Sequence, residues 1–308
     1  ARVDGETMKT YNNFTEAYPS LLRAVYETPE FEAAPRGLAV RERLGHSFRI
    51  ANIRDRIPYI PGRKFSIAYM VAELLWYLSG DNRKEWISNY APFWRNISDD
   101  GTTANSAYGA RIFRLHRYQD AQLPIEVGQL GPTPASKSVW EGGTQWDYIK
   151  EELRRDPDSR RAVIHIRMPQ DSMLAHKDVP CTLTLQFFIR DEALHQVASM
   201  RSSDLILGIA YDIPAFTVFQ ELLAYELGVE PGTYTHISNS LHIYEKHFEM
   251  TERILKDPWV KEFPTRAQPM PPMPSLPPTA LMMNWESAIR LSKDGEELEK
   301  AVTEMTDD

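Results

Sequence analysis

A chain of 308 residues with a single cysteine cannot build a disulfide framework or a cysteine-rich metal site within itself. Such scarcity of thiols suits a reducing compartment, and no metal is expected. Long apolar runs are lacking as well. None reaches the ~18–20 residues that a helix needs to span a bilayer, and the opening ARVDGETMKTYNNF has no apolar core of the signal-peptide kind. A cytoplasmic protein with no membrane partner is therefore expected. An excess of basic charge is also missing: 35 Lys and Arg face 43 Asp and Glu, a formal net charge of -8. That argues against a nucleic-acid polymer as the main ligand, because phosphate backbones need basic surfaces. A local basic pocket for one phosphate is compatible with it. What is present is ordinary for a globular protein, 42% hydrophobic and 25% charged residues, which is enough apolar surface for a core.

No internal repeat is visible. Residues 7–27 show helical spacing, and residues 64–78 are apolar almost all round, which predicts a deeply buried helix closed by Gly80-Asp81-Asn82. Short helices are expected over 81–90 and 148–155. Residues 120–143 carry Gly, Pro and Ser without a sustained period and read as an irregular insertion. Strands are expected over 162–166, 182–189 and 193–200, the last two antiparallel because Arg190-Asp191-Glu192 is a short turn. An apolar helix over 213–227 ends at Gly228, followed by a strand over 234–243 and a helix over 245–255. Seven prolines between Pro264 and Pro278 make that stretch extended, and an amphipathic segment runs over 285–305. Helices and strands without strict alternation predict an α+β fold rather than a doubly wound sheet. One catalytic domain over 1–260 is expected, followed by the proline-rich segment and a C-terminal helix over 261–308.

The lone Cys181 opens a strand just after Pro180. It reads as a small buried hydrophobe, or as a nucleophile if a cation raises its thiolate fraction. Arg201, at the end of the strand expected to pair with it, is such a cation, or else part of a surface turn. Arg160 and Arg161 are either solvated or a guanidinium pair suited to phosphate. His242 and Tyr244 alternate on one strand and share a face, either as a half-buried sheet face or as donors to a sugar hydroxyl.

Each signal is weak alone, but the joint spelling resembles the thymidylate synthase superfamily. The matching pieces are AELLWYLSGDN (72–82), SAYG (106–109), DPDSRR (156–161), VPC (179–181), QFFIRDEAL (186–194), RSSDLILG (201–208) and LHIY (241–244). The resemblance implies a thymidylate-synthase-like fold, an antiparallel or mixed sheet covered by helices, with one sheet face at a dimer interface. It implies a homodimer with shared active sites, a pyrimidine nucleoside monophosphate as substrate and 5,10-methylenetetrahydrofolate as co-substrate. By the same resemblance Cys181 would add to pyrimidine C6, and Arg201 and Ser202 would hold the nucleotide phosphate, with Arg36 a further phosphate candidate. Arg160 and Arg161 would reach the partner subunit's phosphate. His242 and Tyr244 would bind the sugar 3′-hydroxyl. Glu73 would organise a water and proton network, Tyr108 would assist proton removal from C5, and Trp94 and Asp204 would contact the folate.

Departures from the family pattern narrow the expectation. Asp212 stands where synthases carry an asparagine that reads uracil. A carboxylate accepts from the 4-amino group of cytosine, and a proton shared with N3 completes the pair. That proton also withdraws electrons from the ring and favours attack at C6. The bland reading of Asp212 is a carboxylate capping the following helix. Cys181-Thr182, Met200-Arg201-Ser202 and Ser240-Leu241-His242 resemble phage deoxycytidylate hydroxymethylases, which would place the protein in a phage-infected host. The C-terminus, Met305-Thr306-Asp307-Asp308, offers no apolar residue to close the site. Hydroxymethylation of deoxycytidylate is therefore the expectation. The alternatives are a deoxycytidylate methylase, a cytidylate hydroxymethylase and a non-catalytic nucleotide- or RNA-binding relative.

Overall fold

The structure is a computed structural model that describes residues 8–114, 143–173, 175–262, 269–273 and 279–292, together with 295–297, 299, 300 and 303. The expected insertion over 120–143 lies outside the described residues except for Gly143, as does most of the proline-rich stretch and the C-terminus.

In chain order the elements are β1 (Lys9–Tyr11), α1 (Phe14–Glu27), β2 (Phe31–Ala33), β3 (Val40–Ile50), α2 (Ile67–Leu78), α3 (Lys84–Ile87), α4 (Tyr108–Phe113) and α5 (Gln145–Arg155). They continue with β4 (Val163–His165), α6 (Gln170–Met173), β5 (Thr182–Arg190), β6 (Ala193–Met200), β7 (Ser203–Asp204), α7 (Ile209–Leu227), β8 (Glu230–Tyr244), α8 (Phe248–Lys256), α9 (Trp259–Glu262) and α10 (Thr279–Leu291). The strands form one sheet in the order β1-β3-β8-β6-β5-β4, with β2 on β3 and β7 on β8. β5 and β6 are antiparallel as expected, while β6 and β8 run parallel, so the sheet is mixed. The architecture is α+β. No helix among the described residues is long and apolar enough to cross a membrane.

The sheet has one covered face. Along β6, Leu194, Gln196, Ala198 and Met200 are buried while Ala193, His195, Val197 and Ser199 are half-buried. This is the period-2 pattern of a sheet packed on one side. α1 and α7 pack against β3, β6 and β8, and the largest buried side chains there include Tyr18, Phe48, Tyr234, Phe216 and Phe219.

Three differences from the sequence expectation have local causes. β3 was not legible, because four of the eleven residues of VRERLGHSFRI are charged; Arg41, Glu42 and Arg43 are only half-buried beside β2 and β8. Helix α2 is not buried all round: Ala72, Glu73, Leu75, Trp76 and Tyr77 are buried, whereas Ile67 and Val71 are 49% and 42% exposed. α7 begins at Ile209, four residues before the expected start, and carries Pro214 in its second turn. Proline favours the first helical position, which is why a start near Ile213 was the natural reading.

Candidate active site

One end of the sheet gathers residues that are far apart in sequence. β5 starts at Thr182, opposite Met200 at the end of β6, and the Arg201 amide donates to the Cys181 carbonyl at 2.9 Å. β7 then pairs Asp204 with His242, and β3 pairs Val40 with Tyr244. The 3₁₀ turn Pro35–Gly37 precedes β3 and holds Arg36 at φ 54, in the left-handed region. Strand pairing thus brings Cys181, Arg201, Ser202, Asp204, His242 and Tyr244 to one end of the sheet, and the turn before β3 adds Arg36.

Arg201 lies across the cysteine. Its Nε donates to the Pro180 carbonyl at 3.0 Å, and one Nη donates to the Val179 carbonyl at 2.9 Å and to Cys181 Sγ at 3.6 Å. The surface-turn reading of Arg201 is therefore wrong: it is half-buried against the thiol. Burial nevertheless pushes the Cys181 thiol up, against the pull of Arg201 and with a further push from Asp212 and Asp178; Arg36 pulls it down. The group is therefore held as a thiol near neutrality. Ser202 is half-buried and makes no hydrogen bond with another described residue. His242 is buried, its Nδ1 3.3 Å from the Ser240 carbonyl, and its ring meets Tyr244 edge to face at 5.1 Å.

The second half of the site comes from helices. Tyr108 opens α4, stacks on Tyr77 at 5.4 Å, and accepts from the Thr182 amide at 3.4 Å, next to Cys181. Gly109 lets it sit there, because a Cβ would come 2.0 Å from the Tyr77 carbonyl oxygen. Glu73 is buried on α2, and its Oε1 accepts from Tyr69 Oη at 2.6 Å. Burial, with help from Asp212, raises its carboxyl to about 7 even though Tyr69 and Tyr77 donate to it.

Asp212 lies one turn inside α7. The helix N-cap is Gly208, with no side-chain cap, so the helix-capping reading of Asp212 is corrected. Gly208 leaves it room: a Cβ there would stand 3.2 Å from Asp212 Oδ2. Desolvation in the cleft, and then the charge of Asp204, raise Asp212 to about 7.

Two expected residues do not join the cluster. Arg160 and Arg161 are exposed, and β4 after them runs along β5, with the Phe187 amide donating to the Ala162 carbonyl at 2.9 Å. Six residues of strand separate Phe187 from Cys181, about 20 Å. These arginines cannot serve the cysteine of their own chain, and neither has a side-chain partner among the described residues.

Trp94 is buried, and its Nε1 donates to Tyr69 Oη at 3.2 Å; the neighbouring Phe93 is 51% exposed. Asp204 Oδ1 accepts from the Ile206 and Leu207 amides at 2.7 and 3.1 Å, and Leu207 is 54% exposed. Sequence reasoning missed Tyr69, the hydroxyl between Trp94 and Glu73. Its signal was the spacing to Glu73, i to i+4 on one helix face. No group of three or more His, Cys, Asp or Glu among the described residues is arranged to hold a metal ion.

Comparison with known proteins agrees with this geometry. The thymidylate synthase family profile matches residues 16–267. A deoxyuridylate hydroxymethyltransferase of Bacillus phage SP01 is 30% identical over 247 residues, 79% of this chain and 60% of that protein, so the chain spans about 60% of its length. Among solved structures, thermostable thymidylate synthase A from Bacillus subtilis matches with a TM-score of 0.62 and 21% identity, covering 80% of this chain and 84% of the other. By profile the chain belongs to the thymidylate synthase family, and its α+β architecture is the thymidylate synthase fold.

Proposed function

We propose that the protein transfers a one-carbon unit to C5 of a pyrimidine nucleoside monophosphate, and that the substrate is deoxycytidylate and the product its 5-hydroxymethyl derivative. The observation that carries the base choice is Asp212, a carboxyl beside the Cys181 cleft raised to about 7. A carboxyl with that affinity is about half protonated near neutrality, so it exchanges its proton readily. It can accept from the 4-amino group of cytosine while sharing the proton with N3. As Asp212 becomes neutral in that pair, its upward push on the Cys181 thiol disappears. Base recognition then assists formation of the nucleophile.

Cys181 Sγ adds to C6, and the electron pair released makes C5 nucleophilic. Arg201, Ser202 and Arg36 hold the phosphate, and His242 with Tyr244 the sugar. Phe93, next to Trp94, and Leu207, near Asp204, are exposed apolar residues suited to the ring system of 5,10-methylenetetrahydrofolate, with Asp204 an acceptor for its polar groups. The folate would supply the one-carbon unit at the oxidation level of formaldehyde. Tyr108 is positioned to help remove the C5 proton, and the electron pair left at C5 would expel the folate nitrogen, giving an exocyclic methylene and free tetrahydrofolate. Glu73 then takes the proton of a water that adds to the exocyclic carbon, and Cys181 leaves C6.

The hydroxymethyl product is favoured by the name of the phage relative, a hydroxymethyltransferase. That same name, deoxyuridylate, supports a second reading in which the protonated Asp212 donates to O4 of uracil and accepts from N3. The experiment is kcat/KM for deoxycytidylate and deoxyuridylate, with the product mass, in the wild type and Asp212→Asn. The proposal expects deoxycytidylate to be preferred and the ratio to move toward deoxyuridylate by about tenfold to a hundredfold, since each buried mismatch costs about 1–3 kcal/mol. An unchanged ratio removes Asp212 as base reader. A methyl product sinks the hydroxymethyl reading.

We further infer a homodimer through the sheet face that no described helix covers, where Gln186, Val197 and Arg49 lie half-buried across β5, β6 and β3. In it Arg160 and Arg161 would reach the partner subunit's phosphate. Mixing Cys181→Ser with Arg161→Ala chains should create one intact site per hybrid dimer. Proven hybrids without recovered activity would count against the shared site.

A further inference from the structure

The hydroxyl of Tyr69 stands between two groups that the proposed reaction uses in different ways. It accepts from Trp94 Nε1 at 3.2 Å and donates to Glu73 Oε1 at 2.6 Å. A phenol has one proton and can donate once, so with Trp94 as its donor the Tyr69 proton is directed at Glu73. The ring that carries it is held on several sides. Tyr69 packs edge to face on Tyr211 at 4.9 Å, Tyr211 stacks on Phe65 at 4.8 Å, and the Tyr211 hydroxyl accepts from the Ser66 amide at 3.2 Å. Ser66 in turn caps α2 by accepting from the Tyr69 amide. Trp94 is fixed against Trp76 at 5.0 Å, edge to face. The hydroxyl therefore has little freedom to turn away from Glu73.

We propose that Tyr69 is a positioning residue that holds Glu73 ionised and aimed, so that Glu73 can take a proton from the water that completes the hydroxymethyl product. The inference rests on the one-carbon transfer reading and deepens it. The groups facing Glu73 are Tyr69 and Tyr77 on its own helix and Asp212 on α7, and no cation among the described residues pairs with it. In such surroundings a donated hydrogen bond is what favours the charged carboxylate. Asp212 opposes it, so the two carboxyls compete for ionisation unless Asp212 is neutralised on the base. Tyr69 links the wall at Trp94 to the same carboxylate, so displacement of Trp94 would also loosen the donor to Glu73.

The test is a titration of the Glu73 carboxyl in the full chain by isotope-edited infrared difference spectroscopy, with the band identified by its loss in Glu73→Gln. Tyr69→Phe keeps the ring and removes the donor. The midpoint should rise by about one pH unit, a tenfold gain in proton affinity. Turnover of deoxycytidylate should follow: kcat falls about fivefold at pH 7, as the ionised fraction of Glu73 drops, and recovers toward pH 9, with KM for the nucleotide unchanged. A purely structural role predicts a loss that alkaline pH does not rescue. An unchanged Glu73 midpoint in folded Tyr69→Phe overturns the proposal. If that variant fails to fold, Trp94→Phe removes the donor to Tyr69, and a smaller upward shift is expected; no shift overturns the proposal equally. A wild type that makes no product while its Glu73 titration responds to Tyr69→Phe as stated would sink the functional reading and the water step, and leave only the control of Glu73 ionisation by Tyr69 standing.

Discussion

Two groups of carboxylates in this molecule are shielded from water and have opposite fates. Glu221, 4% exposed on α7, accepts from Arg54 Nε at 2.7 Å, from the Arg56 guanidinium and from the Met273 amide at 3.0 Å. Burial pushes its carboxyl up, but the hydrogen bond from Arg54 and the charge of Arg56 hold it below the usual range. Asp171, bound bidentately by Arg111, behaves alike. Glu73 and Asp212, near Cys181, have no cation partner among the described residues and rise to about 7. Glu221 and Asp171, clamped by arginine, join distant segments of the fold. In the proposed reaction Glu73 and Asp212 exchange protons near neutrality, a task that an arginine clamp would prevent by holding them ionised.

The largest effect is expected at the nucleophile. Cys181→Ser should abolish turnover and keep nucleotide binding, because a serine alkoxide is not accessible near neutral pH. Product assays and equilibrium binding of deoxycytidylate check this. Near-normal turnover would break the assignment of the cleft as the reactive half of the comparison.

The next effect tests the clamped half. Glu221→Gln leaves Arg56, 3% exposed, without its counter-charge. Breaking a buried pair by removing one partner costs about 3–5 kcal/mol. Denaturant unfolding should show that loss, with the nucleotide preference of whatever remains folded unaltered. A loss below about 1 kcal/mol would mean that Arg54 and Arg56 find other acceptors.

Legibility from sequence followed the same division. The β5–β6 hairpin could be read because its alternation is clear and its turn is short; Asp191 and Glu192 take positive φ there. β3 could not, because a strand beside a sparsely covered edge does not need apolar side chains. In the cleft, Cys181, Arg201, Asp204 and His242 were found through motif spelling, and strand pairing brings them together. Tyr69 was not found, because a tyrosine in the apolar run of α2 looks like core until its hydroxyl partners are known. The arginine clamp on Glu221 was equally invisible, since Arg54 and Glu221 are 167 positions apart and only the fold joins them.

The smallest effect turns the comparison into a difference of sign. Asp212 takes up its proton at about 7 in the folded chain and at about 3.8 when unfolded. Its contribution to stability is thus fully present below pH ~3.8 and is lost as pH rises toward 7, because the unfolded chain releases the proton first. Above pH 7 the folded protein carries a poorly solvated charge without a cation. Asp212→Asn removes that charge and keeps the shape. It should stabilise the protein at pH 8 by about 1–2 kcal/mol, after discounting for the partial exposure of the group to the cleft, and have almost no effect at pH 4. Glu221→Gln must do the reverse, destabilising at pH 8 and doing so less as acid protonates the wild-type carboxyl. Melting temperatures of the wild type and both variants from pH 4 to 8 measure this. Should Asp212→Asn destabilise at pH 8, Asp212 has a stabilising partner in the folded chain. The contrast between clamped and unclamped carboxylates would then fail at the residue that decides the base.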